Sequence, residues 1–135
     1  EFRRVLFRSE VPVNPAFVQG SALCKGEYAY THAEALKLFR AAADVATKPF
    51  IYLSAGVPNN VFIENLSLAG ESGTDYSGVL CGRATWQDGV KVYAQKGVKA
   101  LEDWLGTEGM KNIEAVNTAL ASAKSWFPKV GVAAA

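Results

Sequence analysis

Residues 50–56 read Phe-Ile-Tyr-Leu-Ser-Ala-Gly, an apolar run that ends in small residues. A run this apolar favours a strand that is buried on both faces, as in a parallel sheet covered by helices. A second run, residues 76–81 (Tyr-Ser-Gly-Val-Leu-Cys), leads directly into Gly82 and Arg83. We therefore predict two parallel strands, each ending in small residues at the same edge of a sheet.

Helical patterns follow or separate these strands. Thr31 and Glu34 form a capping-box signature at the start of a helix predicted over residues 31–46. The other predicted helices cover about residues 59–70, from residue 86 or 88 to the glycines at 106 and 109, and about residues 112–125. The helix after residue 86 is predicted to turn its large residues inward, namely Val90, Tyr93, Val98, Leu101 and Trp104.

A third strand is predicted upstream. Residues 10–14 (Glu-Val-Pro-Val-Asn) are β-prone and are broken by Pro15, which indicates the end of a strand. The resulting order is strand, helix, strand, helix, strand, helix, helix, which is typical of parallel strands with right-handed crossovers. Three strands alone would leave two open edges. We therefore expect an α/β fold that is part of a larger sheet or barrel.

The two ends of the chain differ from this pattern. Residues 1–9 lack a start methionine, and their apolar run is too short for a signal peptide. We interpret residues 1–9 as a non-native segment derived from an adapter or a cloning junction. A native strand that begins at Val5 is the alternative. Residues 127–135 are interpreted as a frayed tail.

The composition narrows the classes of function. The 135 residues are 50% hydrophobic and 20% charged, with a formal net charge of +1, as in ordinary globular proteins. Scattered basic residues do not favour nucleic acid or an anionic membrane as a partner. Cys24 and Cys81 are expected to be reduced thiols of a cytoplasmic protein. His32 is the single histidine, so a histidine-rich zinc site is impossible within the chain, and neither metal nor cofactor is expected.

The strand ends also carry chemistry. In (β/α)8 barrels ligands bind at the carboxyl ends of the strands, and the loops after the last two strands often bind phosphate. Gly56 and Gly82 would let a phosphate oxygen approach the backbone amides, because glycine has no Cβ. Ser54 offers a hydroxyl, and the guanidinium of Arg83 can hold two phosphate oxygens at once. The alternative is that the glycines only form tight turns and that Arg83 pairs with a surface carboxylate.

Longer stretches around these residues resemble one family. Residues 50–57 and residues 78–86, which include Cys-Gly-Arg-Ala-Thr-Trp, are similar to the last two strands of the tagatose-1,6-bisphosphate aldolases. The resemblance implies that residues 10–126 form the C-terminal part of a (β/α)8 TIM barrel, about its last three strand–helix units (strands 6 to 8) and its C-terminal helices. Further similar segments are residues 10–14, 104–105 and 109–113.

The resemblance also implies an activity. In this family a lysine near the end of the sixth strand condenses with a ketose carbonyl, and the resulting iminium permits carbon–carbon cleavage without a metal. The substrate would be tagatose 1,6-bisphosphate, and the products dihydroxyacetone phosphate and glyceraldehyde 3-phosphate. The family's phosphate contacts carry over to Ser54, Gly82 and Arg83, with Ala55 and Gly56 as backbone neighbours.

The sequence departs from the family at its catalytic centre. Arg8 stands where the family has its lysine, and a guanidinium stays protonated, so it cannot act as an amine nucleophile. We interpret the chain as an aldolase fragment that carries the phosphate site and is inactive alone. Glu10 is a candidate partner of the missing lysine, although a structural role is favoured. Trp86 is expected to brace the phosphate loop by packing.

Two other functions stay open. The chain is alternatively a non-catalytic module that binds sugar phosphates, which a native Arg8 would favour, or a truncated reading frame. The parent enzyme could also take another ketose phosphate, such as a sulfosugar phosphate. In each functional case the expected partner is a sugar phosphate, and a homo-oligomeric state of the parent is left open.

Overall fold

Three short parallel strands form the centre of the fold. The computed structural model describes residues 7–131. Its strands β1 (Phe7–Ser9), β2 (Phe50–Leu53) and β3 (Val79–Leu80) pair in the order β1-β2-β3. Both pairings are parallel. The prediction of an α/β fold with a parallel sheet is therefore confirmed.

The helices pack around this sheet. A π-helical turn (Leu105–Gly109) joins the last two α-helices, and a backbone break at Gly97 (φ 79°) interrupts the longer of them. None of the helices between residues 7 and 131 is long and apolar enough to cross a membrane. The α-helices are α1 (His32–Asp44), α2 (Asn59–Glu71), α3 (Gly82–Trp104) and α4 (Met110–Ala119), and short 3-10 turns cover Pro15–Phe17, Leu120–Ser122 and Phe127–Val130.

Helix α1 begins as predicted. The Glu34 amide donates to the Thr31 hydroxyl over 3.2 Å, and the Thr31 amide donates to the Glu34 carboxylate over 2.8 Å. This reciprocal pair is a complete capping box. Helix α2 also matches its prediction, because Phe62, Leu66 and Ala69 are all buried.

The core lies between the sheet and helices α1 and α2. Tyr52 is at its centre, with ring centroids 6.0 Å from Phe39 and 5.3 Å from both Phe50 and Tyr76. All four rings are buried. Edge-to-face and tilted contacts at these distances are favourable for aromatic rings. Alternate residues of β2 therefore face this core.

The opposite face of the sheet is only partly covered within residues 7–131. Ile51 and Leu53 are half-buried, and Leu80, which pairs with Leu53, is half exposed. Arg8 pairs with Ile51, so the alternation of side chains along a strand places it on this same face.

The predicted strand end at residues 10–14 is wrong. The strand lies at Phe7–Ser9, and the chain from Glu10 to Asn14 is irregular. Pro12 has no backbone N–H to donate to a sheet, and the Asn14 side chain accepts from the Ala16 amide over 3.0 Å instead. Strand β1 falls within the segment interpreted as non-native, and Val5 lies outside the described residues.

The third helix differs most from its prediction. It starts at Gly82 and not at residue 86 or 88, so the strand before it contains only Val79–Leu80. The Thr85 hydroxyl donates to the Gly82 carbonyl over 2.8 Å, and Ala84 is buried. Both features favour an early helix start.

The inward face of α3 was also predicted incorrectly. Its buried residues are Ala84, Thr85 and Gly89, whereas three of the predicted apolar residues are more than half exposed: Val90, Tyr93 and Val98. A Cβ on Gly89 would come within 2.9 Å of both Leu101 and Trp104. Leu101 and Trp104 can pack this closely only because residue 89 is a glycine. A larger residue at this position would push them away.

The ends of the last helices differ as well. Gly106 and Gly109 do not stop the chain's helical course, because the π-helical turn continues into α4. Helix α4 ends at Ala119, earlier than residue 125. Lys129 pairs with Asp75 over 2.8 Å, which anchors this part of the predicted tail to the residues before β3.

Candidate functional site

A strained turn follows β2. The Val57 amide donates to the Ser54 carbonyl over 3.0 Å, which closes a turn with Ala55 and Gly56 in its centre. Both central residues have positive φ, 51° and 82°, as in a type I′ turn. Ala55 is the one non-glycine residue with positive φ between residues 7 and 131. Strain of this kind is concentrated at functional sites.

The loop after β3 presents the start of a helix. Cys81 is the N-cap of α3, and its side chain makes no capping hydrogen bond. Gly82 and Arg83 are the first two residues of the helix. Backbone amides in a first turn have no intrahelical acceptor and carry a partial positive charge. They are therefore suited to an anion.

The two loops meet. A Cβ built on Gly56 would lie 3.0 Å from the Cζ and Nη2 atoms of Arg83, so the guanidinium lies directly against the Gly56 backbone. Further back, the Ser54 amide donates to the Leu80 carbonyl over 3.1 Å, which joins the ends of the two strands. The residues predicted from the two strand ends therefore lie at one edge of the sheet.

The surroundings of Arg83 leave its charge available. Arg83 is exposed, and no carboxylate between residues 7 and 131 forms an ion pair with it. The described part of the chain therefore does not show the alternative arrangement, in which Arg83 would pair with a surface carboxylate. Burial raises the pKa of the neighbouring Cys81 thiol, so this side chain stays neutral and adds no negative charge beside the guanidinium.

Trp86 lies next to the same loop. A Cβ on Gly82 would be 3.4 Å from its indole Nε1 atom. The ring is partly exposed. Its indole N–H therefore lies on the Gly82 side of the first turn of α3.

A cavity of about 560 Å³ adjoins the turn after β2. Glu10, Ser54 and Ala55 line it, together with apolar residues of the 10–17 segment. Gly82, Arg83 and Trp86 do not line it. The candidate residues thus form two groups, which adjoin at the turn that contains Ala55 and Gly56.

Asn65 is a polar residue of this cavity that the sequence did not indicate. Its side chain is buried and lines the cavity wall. The Nδ2 group donates to the Val61 carbonyl over 3.1 Å, and Oδ1 has no partner within residues 7–131. The sequence pattern of α2 shows only an asparagine among apolar residues, and nothing local indicates that Asn65 is buried at a cavity wall.

Asn59, Asn112 and Thr85 were also missed. Asn59 Nδ2 donates to the Asn112 carbonyl over 3.1 Å, and Asn112 Nδ2 donates to the Thr85 carbonyl over 2.9 Å. These bonds join the starts of α2 and α3 through α4. Their partners are 53 and 27 residues apart, so no local pattern could have predicted them.

Arg8 lies apart from these loops. It is exposed in the middle of β1, beside Ile51 on the partly open face of the sheet. Within residues 7–131, no group of three or more His, Cys, Asp or Glu side chains is arranged to hold a metal.

Comparison with known proteins found close relatives. The chain is 45% identical over 127 residues to a tagatose 1,6-diphosphate aldolase of Listeria monocytogenes, with 93% of this chain and 37% of the relative covered. A tagatose 1,6-diphosphate aldolase 2 of Enterococcus faecalis is 46% identical over 133 residues, which cover 98% of this chain and 40% of the relative. The corresponding enzyme of Staphylococcus epidermidis is 47% identical over 125 residues, with 92% and 38% covered.

These comparisons also set the extent of the similarity. The chain spans well under half the length of the curated relatives it matches. An alignment that covers 98% of the chain includes most of residues 1–9. No family model matches the chain.

Proposed function

We propose that this chain, a homologue of the tagatose 1,6-diphosphate aldolases, is part of a class I ketose-bisphosphate aldolase and contributes its substrate-phosphate site. The observation that carries this proposal is the contact between the Arg83 guanidinium and the Gly56 backbone. It unites a fixed cation, a bare backbone and a helix start at the carboxyl ends of neighbouring parallel strands.

Each part of this site has a role toward a phosphate. Arg83 supplies charge and a planar pair of N–H donors, which match two phosphate oxygens. The first-turn amides of α3 supply further donors. Ser54 would contribute its hydroxyl from the buried side of the turn. The positive φ of Ala55 and Gly56 closes the turn, and neither residue has a bulky side chain that would block these donors.

The remainder of the enzyme would cover the open face of the sheet. Parallel sheets are normally buried on both faces, yet Ile51, Leu53 and Leu80 are only partly buried on one of them. A (β/α)8 barrel would bury both faces of the sheet, since helices cover the outside of the strands and the packed barrel interior covers the inside. We therefore assign β1, β2 and β3 to strands 6 to 8 of such a barrel.

The position of Arg8 determines what the chain can do alone. In the proposed barrel its face of β1 points to the interior, where the family's lysine would form the iminium with the ketose carbonyl. Arginine cannot form it, because the guanidinium stays protonated. The intact parent would cleave tagatose 1,6-bisphosphate to dihydroxyacetone phosphate and glyceraldehyde 3-phosphate, and this chain would not. Measurable cleavage by the purified 135-residue chain would contradict that part of the proposal.

A binding experiment tests the phosphate site. Dihydroxyacetone phosphate is titrated into the chain and into Arg83→Ala, with calorimetry as the readout. We expect the substitution to weaken binding by about 1.5–3 kcal/mol, the range for a hydrogen bond to a charged group. Arg40→Ala is the matched control, because it removes the same charge from an exposed position on α1, where the guanidinium lies against Gly73. Equal affinities for all three proteins would overturn the assignment.

Arg8 favours one second candidate. A non-catalytic module that binds sugar phosphates would use the same loops and would have no need of the lysine. The nucleotide sequence upstream of the Glu10 codon separates the two. A lysine codon at position 8 with further barrel strands in frame selects the aldolase, and a confirmed arginine codon selects the binding module.

A further inference from the structure

We propose that Asn112 is a positioning residue that couples the two loops of the candidate phosphate site. The proposal rests on the proposed function for its ligand, but the coupling itself is a property of the fold. Asn112 is not itself one of the candidate phosphate-binding residues. It acts on them through Asn59 and Thr85.

The first link runs to the loop after β3. Asn112 Nδ2 donates to the Thr85 carbonyl over 2.9 Å. The Thr85 hydroxyl in turn donates to the Gly82 carbonyl over 2.8 Å. Thr85 is buried and both bonds are partly buried, which limits competition from water. The first turn of α3, which contains Gly82 and Arg83, is thereby held against α4.

The second link runs to the turn after β2. Asn59 is the first residue of α2 and follows Gly56 by three positions. Its Nδ2 group donates to the Asn112 carbonyl over 3.1 Å. The Oδ1 atom of Asn59 is buried without a partner within residues 7–131. Leaving a buried acceptor unpaired costs free energy. The side chain of Asn59 nevertheless takes the orientation in which its Nδ2 group donates to the Asn112 carbonyl.

The two links give α4 a specific task. Helix α2 begins three residues after Gly56, helix α3 begins with Gly82 and Arg83 themselves, and neither helix has a side-chain N-cap. Without a cap, the first turn of a helix is free to fray or shift. Asn112 supplies a common anchor for both starts, and so sets the spacing between the Gly56 backbone and the Arg83 guanidinium. Arg83 must keep this spacing for its donors and the first-turn amides to reach one phosphate.

Three variants separate the links. Asn112→Ala removes the donor to Thr85. Asn112→Asp keeps the size of the side chain but cannot donate. Asn59→Ala removes the second link. Asn117→Ala is the matched control, since Asn117 is an exposed asparagine on the same helix.

The first measurement needs no ligand. Amide chemical shifts and hydrogen-exchange rates are recorded by NMR for the chain and its variants. We expect Asn112→Ala to change the amides of Gly82 and Arg83, because it removes the donor to Thr85 but keeps the carbonyl that accepts from Asn59. We expect Asn59→Ala to change the amides of Ala55 and Gly56, while Asn117→Ala leaves both loops unchanged. Unchanged Gly82 and Arg83 amides in Asn112→Ala, or unchanged Ala55 and Gly56 amides in Asn59→Ala, would overturn the coupling, whether or not the chain binds phosphate.

The second measurement uses inorganic phosphate as the probe. We expect both Asn112 variants to lower phosphate affinity about tenfold, the effect of one lost hydrogen bond, under conditions where denaturant curves show them fully folded. Unchanged affinity in a folded Asn112 variant would overturn the positioning role. A parent chain that binds no phosphate would instead overturn the proposed function, and the ligand-free spectra would still decide the coupling.

Discussion

The Arg83 guanidinium lies 3.0 Å from the point that a Cβ on Gly56 would occupy. Gly56 also has a φ of 82°, which side chains other than hydrogen disfavour. Two independent constraints therefore require glycine at this position, one from the backbone and one from the neighbouring loop. The contact is the point at which the loops after the two strands meet.

Replacing Gly56 by alanine is expected to damage both stability and binding. The positive φ alone costs about 1–2 kcal/mol for a residue with a Cβ, and the added methyl group displaces Arg83. Urea denaturation and a phosphate titration measure the two effects. Gly26→Ala is the control, because a Cβ there meets nothing within 4 Å and its φ is not in the strained range. A Gly56→Ala protein with unaltered phosphate affinity would show that Arg83 does not need its observed position.

Replacing Ala55 by glycine is expected to have the opposite sign. Ala55 has a φ of 51°, so glycine removes about 1–2 kcal/mol of backbone strain and costs about 0.5–1 kcal/mol in chain entropy. The free energy of unfolding should stay the same or rise by up to about 1.5 kcal/mol. Ala22→Gly, at an exposed turn position without positive φ, should lower it. If both substitutions destabilise equally, Ala55 is not strained.

The capping box of α1 predicts a pH dependence. Hydrogen bonds from the Thr31 backbone and hydroxyl lower the pKa of the Glu34 carboxyl from its usual value of 4.5. A lowered pKa means that the carboxylate stabilises the fold above about pH 4.5 and that this contribution is lost as the pH falls through the folded-state pKa.

The test compares the parent chain with Glu34→Gln by thermal unfolding. We expect the parent to be more stable at pH 7 and the difference to shrink toward pH 3. Thr31→Ala, which removes the N-cap, should cost about 1 kcal/mol at pH 7. A stability difference between the parent and Glu34→Gln that is constant from pH 7 to pH 3 would show that the Glu34 charge plays no part.

The two core tyrosines are expected to respond differently to loss of the hydroxyl. The Tyr76 hydroxyl lies 2.8 Å from Ser122 Oγ, whereas the buried Tyr52 hydroxyl has no partner of good hydrogen-bond geometry within residues 7–131 and only a weaker interaction with the Thr74 side chain. Burial raises the pKa of both side chains, so both stay neutral near pH 7. Tyr76→Phe should lower the free energy of unfolding by about 1 kcal/mol, and Tyr52→Phe should leave it unchanged or raise it. Tyr52 and Tyr76 share one ring contact, and denaturant unfolding of the two variants provides the comparison. Equal losses of unfolding free energy would mean that the Tyr52 hydroxyl has a hydrogen-bond partner.

The features that could be predicted from sequence depend on near neighbours. Thr31 and Glu34 are three residues apart, so a capping box can be read directly. Strand β2 was predicted correctly because a short apolar run ended by small residues is itself the signal. Strand β1 was misplaced because its position depends on pairing with β2, more than 40 residues along the chain. Residues 10–14 look more β-prone by composition, but Pro12, the adjacent Pro15 and the Asn14 cap favour an irregular path.

The missed residues depend on contacts between distant segments. The exposed faces of Val90 and Tyr93 could not be distinguished from a buried face by periodicity, because the pattern shows that a helix is amphipathic but not which surface covers it. Gly89 faces inward because Leu101 and Trp104 pack on it. Asn112 gave no local signal, since a polar residue in a helix is ordinarily solvated.

The sequence by itself determined the alternation of strands and helices, the start of α1, and the similarity to the tagatose 1,6-diphosphate aldolases. These follow from propensity, from hydrogen bonds across three or four residues, and from the identity of short motifs. Only the tertiary structure decided that Gly56 lies against Arg83 and that Asn112 connects the starts of α2 and α3. Such contacts join residues 27 to 53 positions apart, and their geometry depends on how the whole chain packs, which no local pattern specifies.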